Sequence, residues 1–241
     1  MARVEVLVDD GATWDLATGT TAWSYDWTPA TPGPATIKSR AVDDSGNVQD
    51  PPAEVTVTVR IPVTIRVPAD QPTIQSAINV AAFGDTVLVA PGTYVENINF
   101  GGKAISVRSE SGPQVTIIDG GAAASVVVFT SGERRDSVLN GFTLQNGRRV
   151  QGTSQGGGIM IGAVSSPTIT NNVIRNNQAC NGGGISIASG SPLIQLNTIT
   201  SNGNSGCSGG SGVQRQLHFH RRQLEFPFYS IKLSASPRVA F

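Results

Sequence analysis

The sequence is poor in charge and in aromatic side chains. Asp, Glu, Lys and Arg make up 14% of 241 residues, the two signs balance at 17 each, and Phe, Tyr and Trp reach 6%. No basic stripe stands out, which argues against a nucleic-acid partner or an anionic membrane surface. No apolar run is long enough to span a bilayer. The first residues, MARVEVLVDD, hold no basic segment followed by an apolar one, so no secretion signal is visible. There are two cysteines, Cys180 and Cys207, too few for a disulfide framework. The sharpest absence is local: between Ser137 and Leu224 there is no Asp or Glu. Carboxylate-pair catalysis and acidic calcium sites cannot be built from that stretch.

What is present is glycine, 28 residues of it, and an internal repeat. GGGIMIGAVSSPTITNNVIRNN (156–177) is answered by GGGISIASGSPLIQLNTITSN (182–202). Ile159 and Ile161 fall on Ile185 and Ile187; Ile169, Asn172, Ile174 and Asn177 fall on Ile194, Asn197, Ile199 and Asn202. Leu139 and Leu144 line up in turn with Ile169 and Ile174, the longer spacing matching a loop at 148–155. Each unit holds short alternating apolar runs between Gly, Ser, Pro and Asn, the pattern of strands and turns. One unit cannot bury its apolar face alone, whereas stacked copies share a continuous core. The expectation is an all-β parallel solenoid of five or six turns.

Residues 1–61 alternate differently, with Val4, Val6 and Val8; Trp23, Tyr25 and Trp27; Ile37, Ser39 and Ala41; and Val55, Val57 and Val59. Turns at DDGAT, TPGP and DDSGN separate the runs, which predicts a sheet with one buried face and the three tryptophans as core filler. VEVLVDDGATW, WSYDW and AVDDSGNVQDPPAEVTVTV resemble the later strands of bacterial immunoglobulin-like modules. The resemblance implies a partial β-sandwich, its amino-terminal strands lacking. Asp9, Asp10, Asp43 and Asp44 lack the spaced acidic pattern of a calcium loop and read as turn residues.

Past a boundary near Ile61, PTIQSAINVAAFGD places Ile74, Ala77, Ile78, Ala81 and Ala82 at helical spacing, with Pro72 before and Gly84 after. This short helix, near 72–83, is expected to cover the open end of the first rung. From PTIQSAINVAAFGDTVLVAPGTYVENINFGGKAISVRSE onward, residues 62–212 resemble the right-handed parallel β-helix of pectin-lyase-like proteins. The resemblance implies a secreted or cell-surface protein. It also suggests an activity on acidic polysaccharides, performed in that family by calcium held on acidic residues beside a Lys or Arg base, by carboxylate pairs, or by two Asp with an Arg. None of these motifs transfers onto a residue of this chain. Within the solenoid the acids are Asp70, Asp85, Glu96, Glu110, Asp119, Glu133 and Asp136, all in its first half. Asp119 precedes Gly-Gly, and Glu133 and Asp136 flank Arg134 and Arg135, so these are expected in solvated turns.

The recurring Asn172 with Asn197 and Asn177 with Asn202 are expected to form amide ladders along the axis, a sugar-binding row being the alternative. The triple glycines at 156–158 and 182–184 lack the Lys-Ser or Lys-Thr of a phosphate loop and read as turns. Cys180 and Cys207 precede equivalent glycine clusters, so they occupy corners one rung apart, within disulfide reach. No cofactor is implied. His218 and His220 stand alone, without the acids or cysteines a metal site would add. After Val213 the vocabulary changes: QRQLHFHRRQLEFPFYSIKLSASPRVAF has no Gly or Asn. Two readings stay open for 213–241: a frameshifted or disordered tail, or a cap with FPFYSIKL as a covering strand. The functional expectation is a non-catalytic secreted or surface β-helix fragment, structural or binding polysaccharide or another surface protein. The alternative is a polysaccharide-active enzyme whose catalytic rungs this chain lacks. Oligomeric state is not read from the sequence.

Overall fold

The computed structural model describes residues 2–9, 11–149, 156–204 and 231–235, the last five and Asn204 as backbone only. They divide into two compact units, residues 2–61 with the strand Ile231–Ala235, and residues 62–204.

In the first unit an antiparallel sheet runs in the order Asp15–Leu16, Arg3–Val8, Gly33–Val42, Ala53–Val59. A second sheet holds Thr18–Gly19, Trp23–Trp27 and Ile231–Ala235. Alternation buries Val4, Val6 and Ile37, and Val8, Trp23, Tyr25 and Trp27 pack against them from partly exposed positions. The tryptophans are therefore not plain core filler: Trp23 and Trp27 are half-buried, and Trp14 lies beneath the Arg40 guanidinium, 4.0 Å from its ring centroid. Asp43 closes its turn, accepting from the backbone N–H groups of Ser45 (2.9 Å) and Asn47 (2.8 Å). The tail strand pairs antiparallel with Trp23–Trp27, setting Ile231 opposite Trp27 and Leu233 opposite Tyr25. FPFYSIKL, considered as a cover for the last rung, thus has its described residues in the other unit.

The second unit is a parallel β-solenoid of about five turns. A six-stranded parallel sheet runs Thr64–Val67, Thr86–Val89, Ser106–Ser109, Val138–Asn140, Thr168–Thr170, Leu193–Gln195. A five-stranded sheet runs Gly92–Val95, Thr116–Asp119, Thr143–Gln145, Val173–Arg175, Thr198–Thr200. A four-stranded sheet, Ile98–Asn99 to Ile185–Ile187, forms another wall, and short strands at Arg148–Arg149, Gln178–Ala179 and Gly203–Asn204 a fourth. The register sets Leu139 against Ile169 and Ile169 against Ile194, and Leu144 against Ile174 and Ile174 against Ile199. All but the partly buried Ile199 are buried in one cluster. Each such side chain contributes about 1.5–3 kcal/mol by leaving water. Phe100 and Phe129 stack between rungs with ring centroids 4.4 Å apart.

The helix Ile74–Val80 turns Ile74, Ala77 and Ile78 into this core. Thr73 caps it in a box with Ser76. The Gln75 carboxamide completes the first rung's edge, accepting from Asn99 N–H at 2.7 Å and donating to Asn99 C=O at 3.2 Å.

The triple glycines bend just ahead of the strands Ile159–Ile161 and Ile185–Ile187. Gly158 N–H donates to Gly183 C=O (2.9 Å) and Ile159 N–H to Gly184 C=O (2.8 Å), so the two runs stack on each other through their backbones. Glycine is required because backbone meets backbone there: a Cβ on Gly158 would lie 2.5 Å from Gly184 O, and one on Gly183 2.2 Å from Gly203 O. Only Gly182 has a positive φ, +64°.

Candidate functional site

Three successive rungs leave the six-stranded sheet through one left-handed residue: Gly141 (φ 85°), Asn171 (φ 55°) and Leu196 (φ 55°). They leave the five-stranded sheet through another: Asn146 (φ 56°), Asn176 (φ 55°) and Ser201 (φ 52°). The residue after Asn171, Leu196, Asn176 and Ser201 is a ladder asparagine. Asn172 Oδ1 accepts from Phe142 N–H at 2.9 Å, and Asn197 Oδ1 accepts from Asn172 N–H at 2.9 Å. On the second corner Asn177 Oδ1 takes Gly147 N–H (2.8 Å) and Asn202 Oδ1 takes Asn177 N–H (3.1 Å). The amide groups also meet each other, Asn172 Nδ2 donating to Asn197 Oδ1 and Asn177 Nδ2 to Asn202 Oδ1, both at 3.0 Å. Asn172 and Asn177 are 1% and 0% exposed. Their amides therefore satisfy buried backbone, and no sugar reaches them.

The carboxylates do the same work nearer the amino terminus. Asp85, fully buried, accepts from Val63 N–H (2.8 Å) and Ala82 N–H (2.9 Å). Glu96 takes Ile74 N–H (3.0 Å) and Gln75 N–H (2.9 Å), the first donors of the helix. At the helix's other end Lys103 Nζ donates to the carbonyls of Ile78, Asn79 and Ala81 at 2.8, 2.6 and 2.8 Å. Asp70 accepts from Arg66 N–H at 2.7 Å. Glu110 and Asp136 stay exposed, Glu110 3.8 Å from Arg66.

Glu133 corrects the expectation of a solvated turn: it is 1% exposed and bridges three rungs. Its oxygens accept from Gly102 N–H (2.9 Å), Ser131 N–H (2.9 Å) and the Ser165 hydroxyl (2.7 Å). Burial pushes its carboxyl up, and the Ser165, Ser131 and Gly102 donors more than offset that, leaving it below the usual range. The sequence marks it only as one acid beside two arginines.

One surface feature gathers polar side chains from consecutive rungs. An open groove of about 330 Å³ follows the corner after the five-stranded sheet, lined by Asp119, Asn146, Arg148, Asn176 and Gln178. The register builds it: Arg148 lies opposite Gln178, and Asp119 opposite Gln145. Asp119 is committed, accepting from Gly121 N–H (2.9 Å), Gln145 Nε2 (3.1 Å) and Asn146 Nδ2 (2.7 Å). Burial raises its carboxyl and these donors lower it further, to a net position below the ordinary range. With those oxygens occupied, the groove presents mainly amide and guanidinium donors, suited to hydroxyl or carbonyl oxygens spaced by the rung repeat of about 4.8 Å. The repeat marks Asn176 as a corner, but Arg148 and Gln178 share no residue type and meet only through the register.

Cys180 is buried and is not a free thiol, while Cys207, His218 and His220 lie outside the described residues. Among the described residues no three His, Cys, Asp or Glu side chains converge as a metal site would require, and no helix is long and apolar enough to cross a membrane. Set against known protein families, curated proteins and solved structures, the chain has no match.

Proposed function

We propose that this chain is a non-catalytic β-solenoid module of a secreted or cell-surface protein, binding carbohydrate along its polar corner groove. One observation carries the reading: Asp70, Asp85, Glu96, Asp119 and Glu133 accept backbone N–H groups. A carboxylate held in that way is a poor proton shuttle, since protonation weakens the charge-assisted bonds it accepts. The groove supplies the complementary half, amide and guanidinium donors from two successive rungs, Asn146 and Arg148 on one and Asn176 and Gln178 on the next. A resemblance to pectin-lyase-like proteins suggests linear polysaccharides as the first probes.

Incubation with polygalacturonate, with and without calcium, followed by affinity electrophoresis and product assay, tests the reading. Retardation of the protein without unsaturated product or released methanol is the expected result. Turnover would overturn the non-catalytic assignment. Retardation that survives in both Arg148→Ala and Gln178→Ala would remove the groove from the proposal.

A further inference from the structure

The sheet of the first unit ends in two unlike edges. Asp15–Leu16 is two residues long, short enough to offer little template. Ala53–Val59 is seven residues long and, among the described residues, pairs only with Gly33–Val42. Proteins normally blunt such an edge with Lys, Pro or a bulge. This strand, AEVTVTV, has none of these and one charge, Glu54.

The apolar face also runs out uncovered toward this edge. Ile37 and Ala35 are 3% and 2% exposed, while Val55, opposite Ile37, is 52% exposed and Val57, opposite Ala35, is half-buried. One strand step takes the inner face from core to solvent.

We infer that Ala53–Val59 is a self-association edge, whose occupant is the same strand of a second copy, antiparallel about a two-fold axis at Thr56. The sequence is self-complementary in that register. Ala53 meets Val59, Glu54 meets Thr58, Val55 meets Val57, and Thr56 meets itself. The valines of both copies then cover one another on the inner face. Glu54 faces a threonine, so the strand's one charge meets no like charge across the pair. The arrangement is isologous and closes as a dimer, the other edge of this sheet, Asp15–Leu16, being only two residues long.

Sedimentation equilibrium of the full chain tests this. The mass should rise with concentration from 25.0 kDa toward twice that value, and Val55→Lys should weaken association by at least about tenfold. Val55 is exposed, so its replacement should leave the circular dichroism spectrum unchanged. Disulfide trapping reads the register: Thr56→Cys should cross-link to its own copy on oxidation, beyond the unsubstituted chain, and Glu54→Cys should not. A monomer at every concentration, an unaffected Val55→Lys dimer, or equal cross-linking by both cysteine variants would overturn the inference.

Discussion

Leu196 occupies a backbone region its side chain disfavours. Its φ is +55°, and it is 78% exposed, so packing returns nothing for the strain. One rung earlier the same corner holds Asn171, and before that Gly141, residues that tolerate the left-handed region. Leu196→Asn should therefore stabilise the protein by about 0.5–1 kcal/mol, which a rise of a few degrees in melting temperature would register; no rise would mean the corner is set by something other than that residue. Asn177 lies at the opposite extreme. Replacing it by Ala leaves Gly147 N–H without its acceptor in a site 0% exposed, an expected loss of about 2 kcal/mol in urea titration. The same change at half-buried Asn202 should cost less. The ladder was legible in the sequence because both its residues and their spacing repeat. Glu133 was not: a single acid carries no periodicity, and its burial is created by Ser165 and Gly102, 32 and 31 positions away.

At the scale of elements, the short helix shows how far local signals reach. Apolar spacing and flanking Pro72 and Gly84 located it, yet a seven-residue helix is marginal in isolation. Opposite charges from the first rung hold its two ends, Glu96 at the first N–H groups and Lys103 at the last carbonyls, matching the helix dipole. Lys103→Met keeps the aliphatic stem and removes the three charge-assisted bonds, so about 2 kcal/mol should be lost. Hydrogen exchange should place that loss first in residues 74–81; a loss spread evenly over all rungs would mean the helix is not a separate cap. The glycine runs show the opposite limit. Sequence reads glycine as turn, and the runs do bend, but it does not show why three successive positions must all be glycine. The physical cause, backbone approaching backbone, appears only once Gly183 is stacked on Gly203.

Across the whole molecule the two halves of the solenoid solve one problem with different chemistry. Corner and edge N–H groups in the first half are received by carboxylates, and in the second half by asparagine amides. The change falls where acidic residues cease, after Asp136. Carboxylates titrate and amides do not, so the halves must differ in acid. Glu133 and Asp119 lie below their ordinary values of 4.5 and 3.8 in the folded chain. Their contribution is therefore complete above those ordinary values and is lost as pH falls through the lower folded ones. Gly102, Ser131 and Gly121 N–H should lose exchange protection as pH is lowered through that window, after correction for intrinsic exchange rates. Phe142 and Gly147 N–H, received by Asn172 and Asn177, should keep theirs. Glu133→Gln should flatten the acid response of Gly102 and Ser131 while lowering their protection at neutral pH. Equal loss in both halves would show instead that the stack opens as one cooperative unit, with nearest-neighbour rung packing outweighing the local acceptors.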